Sequence, residues 1–332
     1  MNTDLISALW QQSRPLRQQI PTASPALKGR CRGVLLGVAV GNLLGIPYES
    51  TPARYLRGLA TQGPLTIDPA EKYRPWDDDV AQTVLLAEAL LAGNSLDPED
   101  LGARLLDWAR ENGRGMGNLT RRVLRELRDG TPASEAAQVV WQKDGRGPAG
   151  NGAVMRCSPV ALKWRKHSQR LVEETLLSAA ITHYDPRCQW SAVAVNVALA
   201  LALDGKSVGL DMLAAALDSA GAPDTVGEAV RVVEGCSLED LDLDDPNAMG
   251  YTLKAMQVGL WALAQQEPLQ EALSRVVLAG GDTDTNAVVA GAVLGGIQGY
   301  EAIPATWLEC VPGHDHLAQL ADQLLMQDAI NT

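Results

Sequence analysis

The chain has 332 residues, a formal net charge of −12 and a pI near 4.8. This acidic balance argues against broad binding to nucleic acid or to an anionic membrane face, although a cleft lined by metals or helix N-termini can still hold an anionic small ligand. Five scattered cysteines without a Cys-x-x-Cys spacing, and no apolar run suited to a signal peptide or a transmembrane helix, predict a soluble cytoplasmic protein.

The first 29 residues differ in composition from the rest of the chain. They are rich in Gln, Arg and Pro, and they predict an N-terminal extension made of a short helix and an extended arm broken at Pro15, Pro21 and Pro25. From residue 30 to residue 332, apolar segments follow one another without a long linker, which predicts one domain. Apolar residues repeat there at intervals of three and four, and alternating patterns are scarce. We therefore predict an all-α fold, a compact multi-helix bundle.

A glycine stripe marks the first apolar helix of this domain. Gly37, Gly41 and Gly45 recur every four residues, so they lie on one side of the helix and predict close packing against a neighbour. Glu49 follows directly after this helix, at the start of a loop. It is either a solvated surface charge or an acid that faces a site, and the residues alone favour the surface charge.

Three consecutive acids, Asp77, Asp78 and Asp79, stand where the next long apolar helix begins. One Asp at a helix start is an ordinary N-cap, and the helix dipole favours an acidic first turn. Three in a row repel one another unless water or a cation relieves the charge. Downstream boundaries are predicted from three further signals, namely a helix end at Gly93-Asn94, a helix start at Asp97-Pro98 and a turn at Gly130-Thr131-Pro132.

A glycine-rich loop, GRGPAGNGAVMR, spans residues 145–156 and leads into a short apolar helix. Such a loop can present backbone N–H groups to phosphate oxygens, but it lacks the Gly-Lys-Ser/Thr ending of a Walker loop, and no strand precedes it. From the residues alone, a flexible surface turn is favoured over a phosphate cradle. A second polar turn, Thr182-His183, precedes a helix predicted at 187–203, and a lone His in such a turn is more often a structural hydrogen bonder than a catalytic base.

A second acidic cluster, Asp282-Thr283-Asp284-Thr285, follows Gly280-Gly281 and opens another apolar helix. Small residues lie along one side of that helix and predict that it is central and closely packed; they are Ala287, Gly291 and Gly295, with Ala290 and Leu294 beside them.

The two acidic clusters together predict one metal site assembled from two helix starts. Their five aspartates need a positive partner, and a hard divalent cation such as Mg²⁺ prefers carboxylate, hydroxyl and water oxygens. An EF-hand is excluded because Ala287 stands at the position of the turn glycine and Val293 at that of the bidentate Glu.

Taken in order, these segments resemble the ADP-ribosylglycohydrolase family, which includes ADP-ribosylarginine hydrolases and dinitrogenase-reductase-activating glycohydrolases. The resemblance covers roughly residues 30–325, and its last motif is the most specific. Five ordered motifs carry it: residues 41–49 (GNLLGIPYE), the acidic run through Thr83, residues 150–156 (GNGAVMR), Thr182-His183, and residues 280–285 (GGDTDT).

The resemblance implies an all-α fold with a dinuclear centre, two Mg²⁺ ions with Mn²⁺ as the alternative, in a cleft where the C1″ glycosidic bond of bound ADP-ribose is hydrolysed. The metal ligands that it implies are Asp77, Asp78, Asp79, Asp282, Asp284 and Thr285. Contacts to the substrate are implied for Gly147, Gly150, Asn151, Gly152 and His183. Glu49, Asp78 and Asp284 are the catalytic candidates, and spacing does not assign the acid or the base among them.

The chain departs from the family pattern at three positions. The usual acidic motif has Thr before and after its two Asp residues, where this chain has Asp77 and Val80, and Asn42 stands where Asp is common. An added carboxylate should tighten a divalent site.

Two functions therefore stay open. The first is a metal-dependent hydrolase that removes ADP-ribose from a protein side chain, arginine being the first choice, or from a small ADP-ribosyl compound. The alternative is a non-catalytic member of the same fold that binds ADP-ribose or a partner protein. The sequence gives no prediction of the oligomeric state. Phosphoester hydrolysis at a carboxylate-bridged metal pair ranks below both functions.

Overall fold

The computed structural model describes residues 3–15, 26–265 and 267–330, and within these ranges almost all regular structure is helical. The helices are α1 Asp4–Gln12, α2 Leu27–Gly45, α3 Ala53–Leu56, α4 Asp78–Ala92, α5 Pro98–Glu111, α6 Asn118–Arg128, α7 Ala133–Lys143, α8 Ser158–Trp164, α9 Ser168–Ala180, α10 Pro186–Leu203, α11 Leu210–Ala220, α12 Asp224–Val232, α13 Thr252–Leu263, α14 Leu269–Leu278, α15 Thr283–Gln298, α16 Ala305–Leu308 and α17 His314–Ile330. Short 3₁₀ helices occur at Ile46–Tyr48, Leu59–Gln62, Pro69–Tyr73, Glu239–Leu241 and Tyr300–Ala302. The predicted all-α fold is confirmed.

Four two-residue strands complete the described structure, and they form two antiparallel pairs. Strand β1 (Arg14–Pro15) pairs with β3 (Lys206–Ser207), and β2 (Thr51–Pro52) pairs with β4 (Gly280–Gly281). Each pair is too short to be a structural layer. The second pair nevertheless joins the segment after α2 to the segment before α15, and this connection positions the site described below.

Side-chain capping explains where several predicted helices begin. The Asp97 carboxylate accepts a hydrogen bond from the N–H of Glu99 at the start of α5, and Asp185 accepts one from Arg187 at the start of α10, each at 2.9 Å. Proline is the first residue of both helices, where its missing N–H costs nothing. The predicted start at Asp97-Pro98 is confirmed, and the helix predicted at 187–203 begins one residue earlier.

Helices α2 and α15 form the centre of the molecule, and their main chains touch. A Cβ atom built on Gly37 would overlap the carbonyl oxygen of Gly291, and one built on Gly291 would overlap that of Gly37. The same relation holds between Gly33 and Gly295, and a Cβ on Gly41 would overlap the carbonyl oxygen of Ala287. Both predicted small-residue stripes are thus confirmed, and the structure adds that each packs on the other.

The segment Leu27–Tyr48 corrects one expectation from the sequence. By length and composition it could cross a membrane, so the prediction that the chain has no apolar run suited to a transmembrane helix is wrong. Most of the segment, however, is buried inside the protein, where α2 contacts α15 and α17. Helices buried on all sides lack a polar face, and this is the reason that α2 resembles a membrane span in composition.

The N-terminal part contributes to the main core. Helix α1 buries Ile6 and Leu9, and it packs mainly against α11. The short helix predicted there is present, whereas Pro21 and Pro25 of the predicted arm lie outside the described residues. The division into an extension at 1–29 and a domain at 30–332 stays a prediction.

We expect Gly37→Ala to lower the free energy of unfolding by about 1–3 kcal/mol, because the added methyl group must push apart two main chains in van der Waals contact. Gly58→Ala is the matched control, since a Cβ there meets nothing within 4 Å and the residue has an α-helical φ of −65°. It should change stability by less than about 0.5 kcal/mol in urea denaturation. Equal stability of the two variants would contradict direct main-chain packing.

Candidate active site

The close packing of α2 and α15 brings one end of each helix to the same place. Thr283 Oγ1 donates a hydrogen bond to the carbonyl of Gly45 at 2.8 Å, and the N–H of Ser50 donates to the carbonyl of Gly281 at 2.8 Å. Glu49, which follows α2, and Asp282, which precedes α15, are therefore held on adjacent stretches of backbone.

Three acidic side chains meet at this point. One carboxylate oxygen each from Glu49, Asp282 and Asp284 lies within 4.8 Å of the other two. Asp284 is buried, Asp282 is partly buried and Glu49 is exposed. Glu49 is accordingly a surface residue, as the sequence alone favoured, and it also faces the site, so the two interpretations are compatible.

The first acidic cluster lies beside the second. Burial, and next the charge of Asp284, raise the pKa of Asp79 well above its usual range; burial, followed by Asp77 and then Asp282, raises the pKa of Asp78 to about 7. The pKa of Asp284 is raised well above its usual range by burial and then by Asp282. The starts of α4 and α15 therefore lie close together, as the sequence predicted.

Two carboxylate oxygens of this group lack a hydrogen-bond partner. They are Oδ1 of Asp79 and Oδ1 of Asp284, both buried, and none of the described residues satisfies them. Burying an unpaired carboxylate oxygen is costly, and a hard divalent cation removes this cost by direct coordination. The donor set of buried carboxylates from α4 and α15, with the Thr285 side chain in the same first turn of α15, therefore fits such a cation.

The three departures from the family pattern have different surroundings. Asp77 is the N-cap of α4, where its Oδ1 accepts a hydrogen bond from the N–H of Asp78 at 3.0 Å. Asn42, in α2, donates a hydrogen bond from Nδ2 to Asp79 Oδ2 at 3.4 Å. Val80 is buried in the hydrophobic core. Asn42 thus supports one acid of the cluster where a second carboxylate would repel it.

The glycine-rich loop is attached directly to the acidic site. Asn151 Nδ2 donates a hydrogen bond to Asp282 Oδ2 at 2.7 Å, and the N–H of Asn151 donates to the carbonyl of Gly250 at 3.0 Å. Residues 145–147 are exposed, while residues 152–156 are buried. The interpretation as a flexible surface turn is therefore wrong for the second half of the loop, because packing against His183 and the core fixes it.

His183 fills the space that the loop glycines leave open. A Cβ on Gly152 would lie 2.5 Å from His183 Cε1, which only glycine avoids without moving the ring. His183 Nδ1 is 2.8 Å from Thr182 Oγ1, and burial, followed by the charge of Arg156, lowers the pKa of His183 to about 3. A neutral, hydrogen-bonded imidazole agrees with the structural role that the turn indicated.

Residues that sequence reasoning missed also border the site. A Cβ on Gly115, whose φ is +76°, would overlap Asp77 Oδ1 and lie 2.5 Å from Asp78 Oδ1, so this loop rests on the first cluster. Gly250, with φ +77°, also lies beside the site, since a Cβ there would be in ordinary contact with Asp282 Oδ2 at 3.4 Å. The alternating glycines at 113, 115 and 117 were the available signal, and Gly250 offered none.

Two relatives of this chain are named as hydrolases of an ADP-ribosyl linkage. It is 26% identical to the ADP-ribosylarginine hydrolase Tri1 of Serratia proteamaculans, over 89% of this chain and 78% of that protein. It is also 26% identical to the ADP-ribosyl-[dinitrogen reductase] glycohydrolase of Rhodospirillum rubrum, over 86% of this chain and 90% of that protein.

A solved structure described as an ADP-ribosylglycohydrolase-related protein complex superposes with a TM-score of 0.69 and 27% identity, covering 91% of this chain and 99% of that one. The family model for ADP-ribosylglycohydrolase matches residues 23–331, nearly the whole chain. The order of motifs, the helical fold and these matches agree with one another. The chain belongs to the ADP-ribosylglycohydrolase family, whose members are hydrolases of a glycosidic bond.

Proposed function

We propose that this protein is a divalent-metal-dependent hydrolase that removes ADP-ribose from the arginine side chains of modified proteins. The observation that carries the proposal is the pair of unpaired, buried oxygens of Asp79 and Asp284, of which Asp284 lies in one acidic group with Glu49 and Asp282. The arginine linkage is supported by the name of the Serratia relative. Mg²⁺, with Mn²⁺ as a substitute, is the cation we propose, because the available donors are carboxylate and hydroxyl oxygens.

In this proposal the acidic residues have two roles, metal ligand and proton carrier. The buried Asp79 and Asp284 would hold the cations together with Asp77, Asp78, Asp282 and Thr285. Bound there, the cations would supply Lewis-acid polarisation to the ribose and to water. Glu49 is the most exposed acid of the group, so its carboxylate exchanges a proton with water or with the leaving group.

Substrate positioning falls to the loop next to the cluster. Gly147, Gly150 and Gly152 offer main-chain N–H groups to the diphosphate, and Asn151 connects these groups to Asp282 by its 2.7 Å hydrogen bond. The distance between the diphosphate and the anomeric carbon is then set by this loop and the cluster together. Precise positioning of this kind can supply a large part of a catalytic effect.

Glu49→Gln should reduce the release of ADP-ribose from an arginine-modified peptide by about 10²- to 10⁴-fold, because the glutamine amide cannot act as a general acid or base. Binding of free ADP-ribose, measured by calorimetry, should stay within a few-fold of the wild type. Full hydrolysis by the variant would reject Glu49 as the proton carrier. A wild-type protein that binds ADP-ribose but hydrolyses no arginine-linked substrate would favour the non-catalytic alternative, and turnover gained in Asp77→Thr would then identify the departure responsible.

Metal binding should be visible in stability as well as in activity. Mg²⁺ at 100 times its dissociation constant should stabilise the wild type by about 2.7 kcal/mol, a gain that chelator removes. Asp284→Asn should lose this response. In chelator, the same variant should be more stable than the wild type, because one of several buried like charges is gone.

Asp224→Asn is the matched control for that experiment, since Asp224 is exposed in the first turn of α12, a helix that packs mainly on α11 and α13. It should keep the full response to Mg²⁺. Retention of the response by Asp284→Asn would reject the proposed ligand set, whereas loss in both variants would point to an effect of the helix dipole.

Gly152→Ala should weaken ADP-ribose binding by about tenfold or more, because a methyl group 2.5 Å from His183 Cε1 must displace the ring or the loop. Gly209→Ala is the control, as a Cβ there meets nothing within 4 Å. Calorimetry on both variants compares them directly. Unchanged affinity in Gly152→Ala would separate the loop from the ligand.

A further inference from the structure

A chain of buried hydrogen bonds connects the helix of the first acidic cluster to His183. Arg156 is 1% exposed and lies between them. Its Nη1 donates to Gln82 Oε1 of α4 at 2.7 Å, and its Nη2 donates to Thr182 Oγ1 at 2.6 Å and to the carbonyl of Ser178 at 3.1 Å. Gln82 follows Asp79 by three residues in the same helix, so the connection starts within one turn of the proposed cation ligands.

The direction of these bonds follows from the chemistry of the groups. A guanidinium only donates, so the Thr182 oxygen is an acceptor toward Arg156. The hydroxyl has one proton left to donate, and His183 Nδ1, at 2.8 Å, is the acceptor that the described residues provide for it. Leaving this buried proton without an acceptor would carry a desolvation cost.

The protonation of the imidazole follows in turn. If Nδ1 accepts, a neutral imidazole carries its proton on Nε2. A positively charged imidazole is disfavoured by burial and by the nearby Arg156, in line with a pKa lowered to about 3. Nε2 lies against the loop, since a Cβ on Gly152 would be 2.8 Å from it and one on Gly150 3.5 Å.

We propose that Arg156 is a positioning residue that, through Thr182, fixes His183 as the neutral Nε2–H tautomer and so presents one oriented N–H donor to an anionic group held at the glycine-rich loop. The ligand part of this statement rests on the proposed function; the tautomer does not. The arrangement provides a donor for a diphosphate without adding a titrating charge, and its orientation does not change across the neutral pH range.

The first test is the tautomer in ligand-free protein, read from long-range ¹H–¹⁵N spectra of histidine-labelled samples. The chain has four histidines, and the spectrum of His183→Gln assigns the signal. We expect a protonated Nε2 and an unprotonated Nδ1. A wild-type spectrum with the proton on Nδ1 overturns the proposal, whatever the protein does with ADP-ribose.

Variants of the connecting residues supply the second test. Thr182→Val removes the donor to Nδ1 and should raise the population of the Nδ1–H tautomer, with ADP-ribose affinity lower by about tenfold. Thr182→Ser keeps the hydroxyl and should restore both properties. Arg156→Met frees a lone pair of the hydroxyl and should also raise the Nδ1–H population in variants that circular dichroism shows to be folded.

The outcomes separate the two proposals. An unchanged tautomer in Thr182→Val overturns the positioning role. A shifted tautomer with unchanged ADP-ribose affinity supports the role of Arg156 and Thr182 in the ring but overturns the donor function toward the ligand. Loss of affinity in Thr182→Ser, with the tautomer kept, overturns the tautomer as the cause of the binding defect.

Discussion

The contact between the main chains of α2 and α15 is the constraint on which the rest of the structure depends. Where two helices meet through side chains, rotamer changes can absorb small displacements of one helix against the other. Here glycines bring carbonyl oxygens against the opposite backbone, so no side chain is available to absorb such a displacement. Gly45 at the end of α2 packs against the backbone of Asp284, so the contact continues to the site itself. This packing and the β2–β4 pair fix the position of Glu49 relative to Asp282.

The acidic site is locally unfavourable, and the surrounding fold keeps its carboxylates close together. Buried carboxylates with raised pKa values repel one another, and two of their oxygens find no partner among the described residues. The N-termini of α4 and α15 both point at the group, which offsets part of the charge. A divalent cation would supply the positive charge that is still missing. Without it, the unfavourable interactions of the cluster are offset by favourable packing elsewhere in the fold.

The glycine-rich loop and His183 act as one unit although they are distant in sequence. The ring occupies the space above Gly150 and Gly152, while Asn151 reaches the acidic cluster on the other side. Arg156 extends the unit to α4 through Gln82. An anionic ligand at the loop would therefore be positioned by the same elements that carry the carboxylates, which is the geometric requirement for placing a diphosphate and an anomeric carbon at fixed separation.

The sequence by itself determined the helical class, the small-residue stripes at Gly37 and Gly291 and the two acidic helix starts, because periodicity, caps and glycine spacing are local properties of the chain. The family followed from the order of five motifs. Only the tertiary structure decided that the two stripes face each other, that Glu49 is exposed and yet faces Asp284, that half of the loop is buried, and that Gly115 and Arg156 adjoin the site. These features depend on which distant segments meet, and no local pattern encodes the partner of a buried surface.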